Sequence, residues 1–315
     1  MEKETEKKAL VAATALLLLH RERRSLRAMV RAERAALGVL RATVGPLVEH
    51  AATSVGHAPA YDRERVALAV VRRTAGRMQG ALERAITEVR RAARVASRRT
   101  VEDAFAAGAL SPLDGREEHD AAAAHGAAAS LASAWNRSAS AMALGDEPAD
   151  DALRMAGRVL DRRLERTAAT ETASAFNDER RRAYRDIARS PLADEVVRVW
   201  SAVLDRKTCA FCFDKDGQVR GIHESFGAVP PVHPNCRCII EIVRIPHPDR
   251  LVDIGLDYRE GFKAELRDVI RERREVSGRH AAEFLTESMG EGWRSPLVLT
   301  GRFTHKPYVR RRARP

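Results

Sequence analysis

Four cysteines and one histidine are the residues of this sequence whose types and spacing can do chemistry. Cys209 and Cys212 form a Cys-x-x-Cys pair, and His233-x-x-Cys236-x-Cys238 follows after twenty intervening residues. A Cys-x-x-Cys knuckle sets two thiolates about one turn apart, where both reach a single tetrahedral ion; a second pair from elsewhere closes the shell. Five candidates compete for four places. If a strand begins at Ile239, Cys236 and Cys238 face one side, because side chains repeat every two residues. The first choice is therefore Cys209, Cys212, Cys236 and Cys238, with His233 as a substitute ligand or as a donor to one thiolate. Zinc suits four tetrahedral thiolates and is saturated by them. A saturated ion has no place for water, so such a site is structural, and metal binding is coupled to folding of the loop.

Other readings of the same residues stay open. The cysteines could be reduced and simply packed, or joined as disulfides, although Cys236 and Cys238 lie too close in sequence to pair comfortably with each other. A redox Cys-x-x-Cys lacks the βαβ pattern that would surround it. All four cysteines fall in one segment of a chain with no visible secretory signal, which favours metal over a disulfide frame. A metal-nuclease cluster can also be imagined from His223, Glu224, His233 and Asn235, but no downstream histidine sits at convincing spacing.

The flanking segments must position these residues. Val196-Val197-Arg198-Val199-Trp200 and Ile239-Ile240-Glu241-Ile242-Val243 are strand-like in composition, and the simplest pairing is antiparallel, around the cysteine loop. Upstream the pattern is helical. A first helix is expected from Glu2 to about Ala42, a short second one from Leu47 to Val55 after the Gly45-Pro46 break, and a long third one from Asp62 towards Phe105. Val66, Val70, Met78, Leu82, Ile86 and Val89 give the third helix a stripe interrupted at Thr74. The alanine- and serine-rich stretch from His119 to Leu144, with Trp135 its only large aromatic, buries little area and is expected to be weakly anchored. A further helix, capped by Asp150, runs through about Ala188. Its stripe of Ala156, Leu160, Leu164 and Ala168 leads to Glu171. A carboxylate there is either paired or turned outward as the stripe drifts.

The chain has 315 residues with 44% hydrophobic and only 5% aromatic content, and a formal net charge of +11. Abundant alanine, arginine, glutamate and leucine is the composition of long helices. The positive balance favours anionic partners, but arginine interleaved with glutamate, as in Arg162-Arg163-Leu164-Glu165-Arg166, also makes ordinary solvated helix faces. The apolar run Leu10–Leu19 is too short to span a bilayer and reads as a buried helix segment. Helices are expected again from Tyr258 to about Val276 and from Arg279 to Met289. The tail, with Lys306, Arg310, Arg311, Arg312 and Arg314 among glycines and prolines, reads as a flexible basic arm suited to nucleic acid or an acidic partner.

The combination of Trp200, Asp205-Arg206-Lys207-Thr208-Cys209-x-x-Cys212, Asp216-Gly217 and Pro231-x-His233-Pro234-Asn235-Cys236-Arg237-Cys238 resembles the phage Mu F-like, or phage head morphogenesis, family of minor head proteins. An upstream helix with Thr170-Glu171, Asn177 and Tyr184 is similar to that family's threonine–glutamate helix, except that Ala169 stands where the family usually has arginine. The resemblance covers roughly residues 150–245. It implies a low-copy structural protein of the procapsid, located in the virion interior and in the host cytoplasm during assembly. The implied partners are portal and capsid or scaffold proteins, with packaged double-stranded DNA as a further one; no membrane is involved and no enzymatic activity is expected. Because family members are sometimes fused to effector domains, a nucleic-acid-processing enzyme or toxin is the alternative, and a generic zinc-binding interaction module a third reading. The expected architecture is mainly α with a small α+β module, in which long helices flank a zinc-stapled, hairpin-like domain. The expected segments are a helical region over 1–149, the cysteine module over 150–248, C-terminal helices over 249–289 and the basic tail over 290–315.

Overall fold

Alanine, leucine, arginine and glutamate dominate the chain ahead of the cysteine segment, and they form four long helices: α1 (Glu2–Gly56), α2 (Arg63–Glu102), α3 (Glu117–Ala143) and α4 (Ala149–Ala188). The fold is read from a computed structural model, which describes residues 2–103, 105, 110, 117–145, 147–203 and 210–244. The expected C-terminal helices and basic tail, including Lys306, Arg310, Arg311, Arg312 and Arg314, lie outside the described residues.

The break expected at Gly45-Pro46 does not occur. α1 continues through Pro46, although proline removes one helical hydrogen bond at a cost of about 3 kcal/mol in a helix interior. The reason is burial that stays in phase across the proline: Leu40, Val44, Val48, Ala51, Ala52 and Val55 all enter one core, while Pro46 itself is exposed. Leu10–Leu19 lies within α1, and no described helix is long and apolar enough to cross a membrane.

The described residues group into two compact units, one drawn from residues 30–95 and 112–176, the other from residues 1–29, 96–111 and 177–244. In the first unit, Met78, Leu82 and Ile86 of α2, Leu131 and Trp135 of α3, and Leu153, Leu160 and Leu164 of α4 join the α1 stripe in one core. Thr74, the gap in the α2 stripe, is buried as well. α3 is therefore not weakly anchored. Its alanines Ala124, Ala128 and Ala139 are fully buried, and they let the neighbouring helices approach while Trp135 fills the space they leave. Small residues also set the approach of α1 and α4, where a Cβ on Gly157 would stand 2.8 Å from Val48 Cγ1.

Glu171 is paired. Its carboxylate lies 2.6 Å from Arg90, which also meets Asp120 at 2.7 Å, and Arg94 meets the same Asp120 oxygen at 2.6 Å. Two buried arginines thus share two carboxylates, the arrangement that makes a charge on a buried stripe tolerable.

The second unit holds the sheet. The expected pair forms: β1 (Val196–Ser201) runs antiparallel to β3 (Ile239–Arg244), with Trp200 opposite Ile240 and Arg198 opposite Ile242. A third, short strand, β2 (Val219–Gly221), pairs with the other side of β1, so the order is β2-β1-β3. β1 is central and all six of its residues are buried. Val101, Phe105, Ala183, Ile187, Val196, Ile222 and Ile242 form a small core of the unit. The architecture is mainly helical with a small antiparallel sheet.

Candidate metal centre

The described residues of the loop between β1 and β3 are tied down by hydrogen bonds and packing. A short helix, α5 (Ala210–Lys215), carries Cys212 and is followed at once by Asp216-Gly217. Asp216 is buried and accepts a hydrogen bond from the backbone N–H of Ala202 at 2.8 Å, which closes the exit of β1. Gly217 has φ +84, a conformation that favours glycine, and its N–H donates to the Trp200 carbonyl at 2.7 Å. Trp200 is fully buried, with Phe211 and Phe226 set edge-on to its ring at centroid distances of 6.3 and 5.8 Å. Lys215 Nζ then donates to the Phe226 carbonyl at 3.1 Å. Asn235 sits at φ +64, a region that asparagine tolerates, and the Cys236 N–H donates back to the His233 carbonyl at 3.1 Å.

These turns bring Cys212, Cys236 and Cys238 together. All three are buried, and their sulfurs lie within 4.8 Å of one another, close enough to hold one metal ion. Cys212 and Cys236 are 3.8 Å apart, well beyond a disulfide bond, and all three are free thiols. Cys209, the fourth expected ligand, lies outside the described residues, as do Asp205, Arg206, Lys207 and Thr208. His233 borders the trio. Its Nε2 is 3.1 Å from Cys212 Sγ, and its Nδ1 is 2.8 Å from the Pro234 carbonyl. A carbonyl can only accept, so Nδ1 carries a proton; Nε2, facing the sulfurs, offers a lone pair when the ring is neutral and an N–H to a thiolate when it is protonated.

The electrostatics of the trio set Cys236 and Cys238 in opposite directions. Hydrogen bonds from Cys212 and then Cys238 drive the Cys236 thiol down, to about 2, against the cost of burial. Cys238 goes the other way. A hydrogen bond with Cys212 lowers it, but the bond with Cys236, burial and the Cys236 charge outweigh that and push it well above its ordinary value. The Trp200 side chain favours the Cys238 thiolate.

α4 supports the centre from outside the loop. Asn177 Nδ2 donates to the Cys238 carbonyl at 2.9 Å, and its Oδ1 accepts from the Ile240 N–H at 3.2 Å. One side chain thereby satisfies the backbone groups on either side of Ile239, where the edge strand β3 begins. Three residues on, Arg180 pairs with Glu241 at 3.1 Å, both almost completely buried. Arg180 also donates to Ser25 Oγ and Thr100 Oγ1 at 2.7 Å each, and to the Ile240 carbonyl at 3.3 Å.

The imagined nuclease cluster does not assemble. Glu224 Oε2 accepts from the Gly221 N–H at 2.8 Å, His223 is exposed, and His233 is committed to the sulfurs. Among the described residues, the cysteine trio is the one group of histidine, cysteine and carboxylate side chains able to share an ion. Reading the sequence alone misses the Arg180–Glu241 pair and the role of Arg198, which donates to the carbonyls of Gly221 and Glu224. A signal was present in each case: Arg198 and Glu241 are single charges inside apolar strand sequences, which points to buried, partnered groups.

Residues 134–241, from within α3 to within β3, match the model of the family described as Phage Mu protein F like protein. Over that stretch the resemblance carried by Trp200, Asp216-Gly217 and the His233–Cys238 run is borne out. The family points to phage head morphogenesis. No curated protein and no solved structure gives a significant match to the chain.

Proposed function

We propose that the chain is a minor head protein of a phage or prophage, a structural component of head morphogenesis that docks on portal or inner capsid surface and catalyses nothing. What carries this reading is the match of residues 134–241 to the Phage Mu protein F like family. Within that stretch Asp216 and Gly217 hold backbone turns, Trp200 is buried, and Cys236 and Cys238 join Cys212 in the cysteine trio.

The staple is zinc in this reading. Two zinc–thiolate bonds of about 2.3 Å at the tetrahedral angle put sulfurs about 3.8 Å apart, and Cys212 and Cys236 stand at 3.8 Å. A divalent cation also removes the opposition between Cys236 and Cys238, since it takes each as a thiolate. Cys212, Cys236 and Cys238 would hold it, with Cys209 as the fourth ligand and His233 as substitute or as a donor to a thiolate. A shell filled in this way leaves no position for water, so the metal supplies folding energy. The basic tail, including Lys306, Arg310, Arg311, Arg312 and Arg314, contacts packaged double-stranded DNA or an acidic partner by phosphate- or carboxylate-type pairing.

Assembly of particles with and without the protein tests the function. The reading expects co-purification with portal protein at low copy number inside the particle, and defective heads without it. Particles that lack the protein yet match the complete ones in assembly, DNA content and infectivity would refute it. The enzymatic alternative predicts metal-dependent nicking of plasmid that disappears in His233→Ala.

A further inference from the structure

In the sheet-bearing unit, the last turns of α4, strands β1 and β3 and the loop after β2 enclose a cleft of about 600 Å³ that no motif residue of the cysteine loop explains. Five arginines line it, namely Arg180, Arg181, Arg185, Arg189 and Arg198. Three are already engaged: Arg180 with Glu241, Arg181 with Asp178, and Arg198 with the carbonyls of Gly221 and Glu224. Arg185 and Arg189 are exposed and have no counter-ion among the described residues. Arg185 follows Arg181 by four residues in the last turn of α4 and shares its face, and Arg189 is the first residue beyond the helix, its N–H donating to the Asp186 carbonyl at 3.2 Å. Cations at a helix C-terminus complement the helix dipole, but that dipole amounts to about half a charge and leaves most of two full charges unanswered. Beside them the lining includes Ala188, half-buried, and Val229, 47% exposed, with one carboxylate, Glu224, whose Oε2 already accepts from the Gly221 N–H at 2.8 Å.

We propose that this cleft is a docking site for an acidic segment of a partner protein, with two carboxylates on Arg185 and Arg189 and an adjacent apolar side chain against Ala188 and Val229. Two long arginine side chains at the helix end can each meet one of two carboxylates, which stand about 6.7 Å apart on one face when they are two residues apart on an extended segment. Arginine is suited to gripping such groups with two parallel hydrogen bonds. A nucleic acid fits less well, because single strands are held largely by stacking on aromatic faces. Here the Arg198 guanidinium already covers the Tyr184 ring at 4.7 Å and lies 5.5 Å from the Phe226 ring centre. The proposal deepens the docking reading above and names the chemistry of a partner, but it does not depend on a phage particle. Failure of peptide binding would leave the particle-assembly test untouched, and the reverse also holds.

Fluorescence anisotropy with a labelled Glu-Ser-Glu-Ser-Leu peptide, whose two carboxylates and leucine share one face when extended, tests it on the full chain, with Gln-Ser-Gln-Ser-Leu as the uncharged control. The expected result is salt-sensitive binding of the acidic peptide that weakens at least about tenfold in Arg185→Glu/Arg189→Glu. Arg166→Glu, an exposed α4 position in the other unit, should bind as the unaltered chain does. Circular dichroism confirms that each variant folds. The proposal is overturned by absence of binding, by equal binding of the uncharged peptide, or by equal loss in Arg166→Glu. It is likewise overturned if a single-stranded oligonucleotide binds more tightly than the peptide and depends on the same two arginines.

Discussion

Asn177 serves the backbone groups on either side of Ile239, where the edge strand begins, and its removal would strand both in a buried place. Each unsatisfied buried group costs about 1–3 kcal/mol, so Asn177→Ala is expected to destabilise the chain by about 2–4 kcal/mol in chemical denaturation. Arg180 and Glu241 allow a sharper test. Burial holds the Glu241 carboxyl above its ordinary value, with Arg180 pulling it back. A raised carboxyl keeps its proton to higher pH in the folded chain than in the unfolded one. Its contribution is therefore greatest below the ordinary carboxylate range and declines as pH rises through it. Arg180→Met removes the opposing charge and strands Glu241, at a cost of about 3–5 kcal/mol near neutral pH. The penalty should be smaller near pH 4, where Glu241 takes up a proton, and Arg180→Met/Glu241→Leu should recover much of it. A penalty independent of pH would show that Glu241 is not the group left uncompensated. At this scale the sequence displayed the residues but not their partners. Val-Val-Arg198-Val-Trp and Ile-Ile-Glu241-Ile-Val each announce an odd charge, yet the ion that answers Glu241 comes from a helix sixty-one residues earlier in the chain.

Local chemistry and tertiary burial disagree at Pro46, and burial prevails. Because Pro46 is exposed and lies within α1, Pro46→Ala restores a helical N–H without opening a cavity. The variant is expected to gain about 1–3 kcal/mol by thermal or chemical denaturation; a loss instead would mean that the helix needs the proline's geometry. Gly157→Ala points the other way. A methyl group 2.8 Å from Val48 Cγ1 forces α1 and α4 apart locally, with an expected loss of about 1–3 kcal/mol despite better helix propensity. Helix type and approximate extent were legible from apolar spacing, as was the antiparallel pairing of the two β-rich runs. Two things were not. The continuity of α1 depends on a core that no local window contains, and β2 is only three residues long, too short for its alternation to register. Glu171 shows the same limit from the other side, since its spacing put it on a buried line but could not show that Arg90 and Asp120 complete the network.

For the whole molecule, the division of the core predicts how metal loss is felt. The helical unit has its own apolar cluster around Trp135, whereas the sheet-bearing unit combines a small cluster with the cysteine centre. Chelation should therefore change the tryptophan environment at Trp200 and expose the Cys212, Cys236 and Cys238 thiols to alkylation. Far-ultraviolet circular dichroism, dominated by the four long helices, should fall only slightly. A parallel loss of all helical signal would mean that the centre supports the entire chain.

The most direct measurement is metal content by mass spectrometry on the purified protein, combined with a denaturation curve. The predicted result is one zinc per chain, lost together with protection of the sheet in Cys209→Ser and in Cys236→Ser. A chain that is free of metal and yet unfolds at the same denaturant concentration as these two variants would contradict the stapled module at the centre of this account.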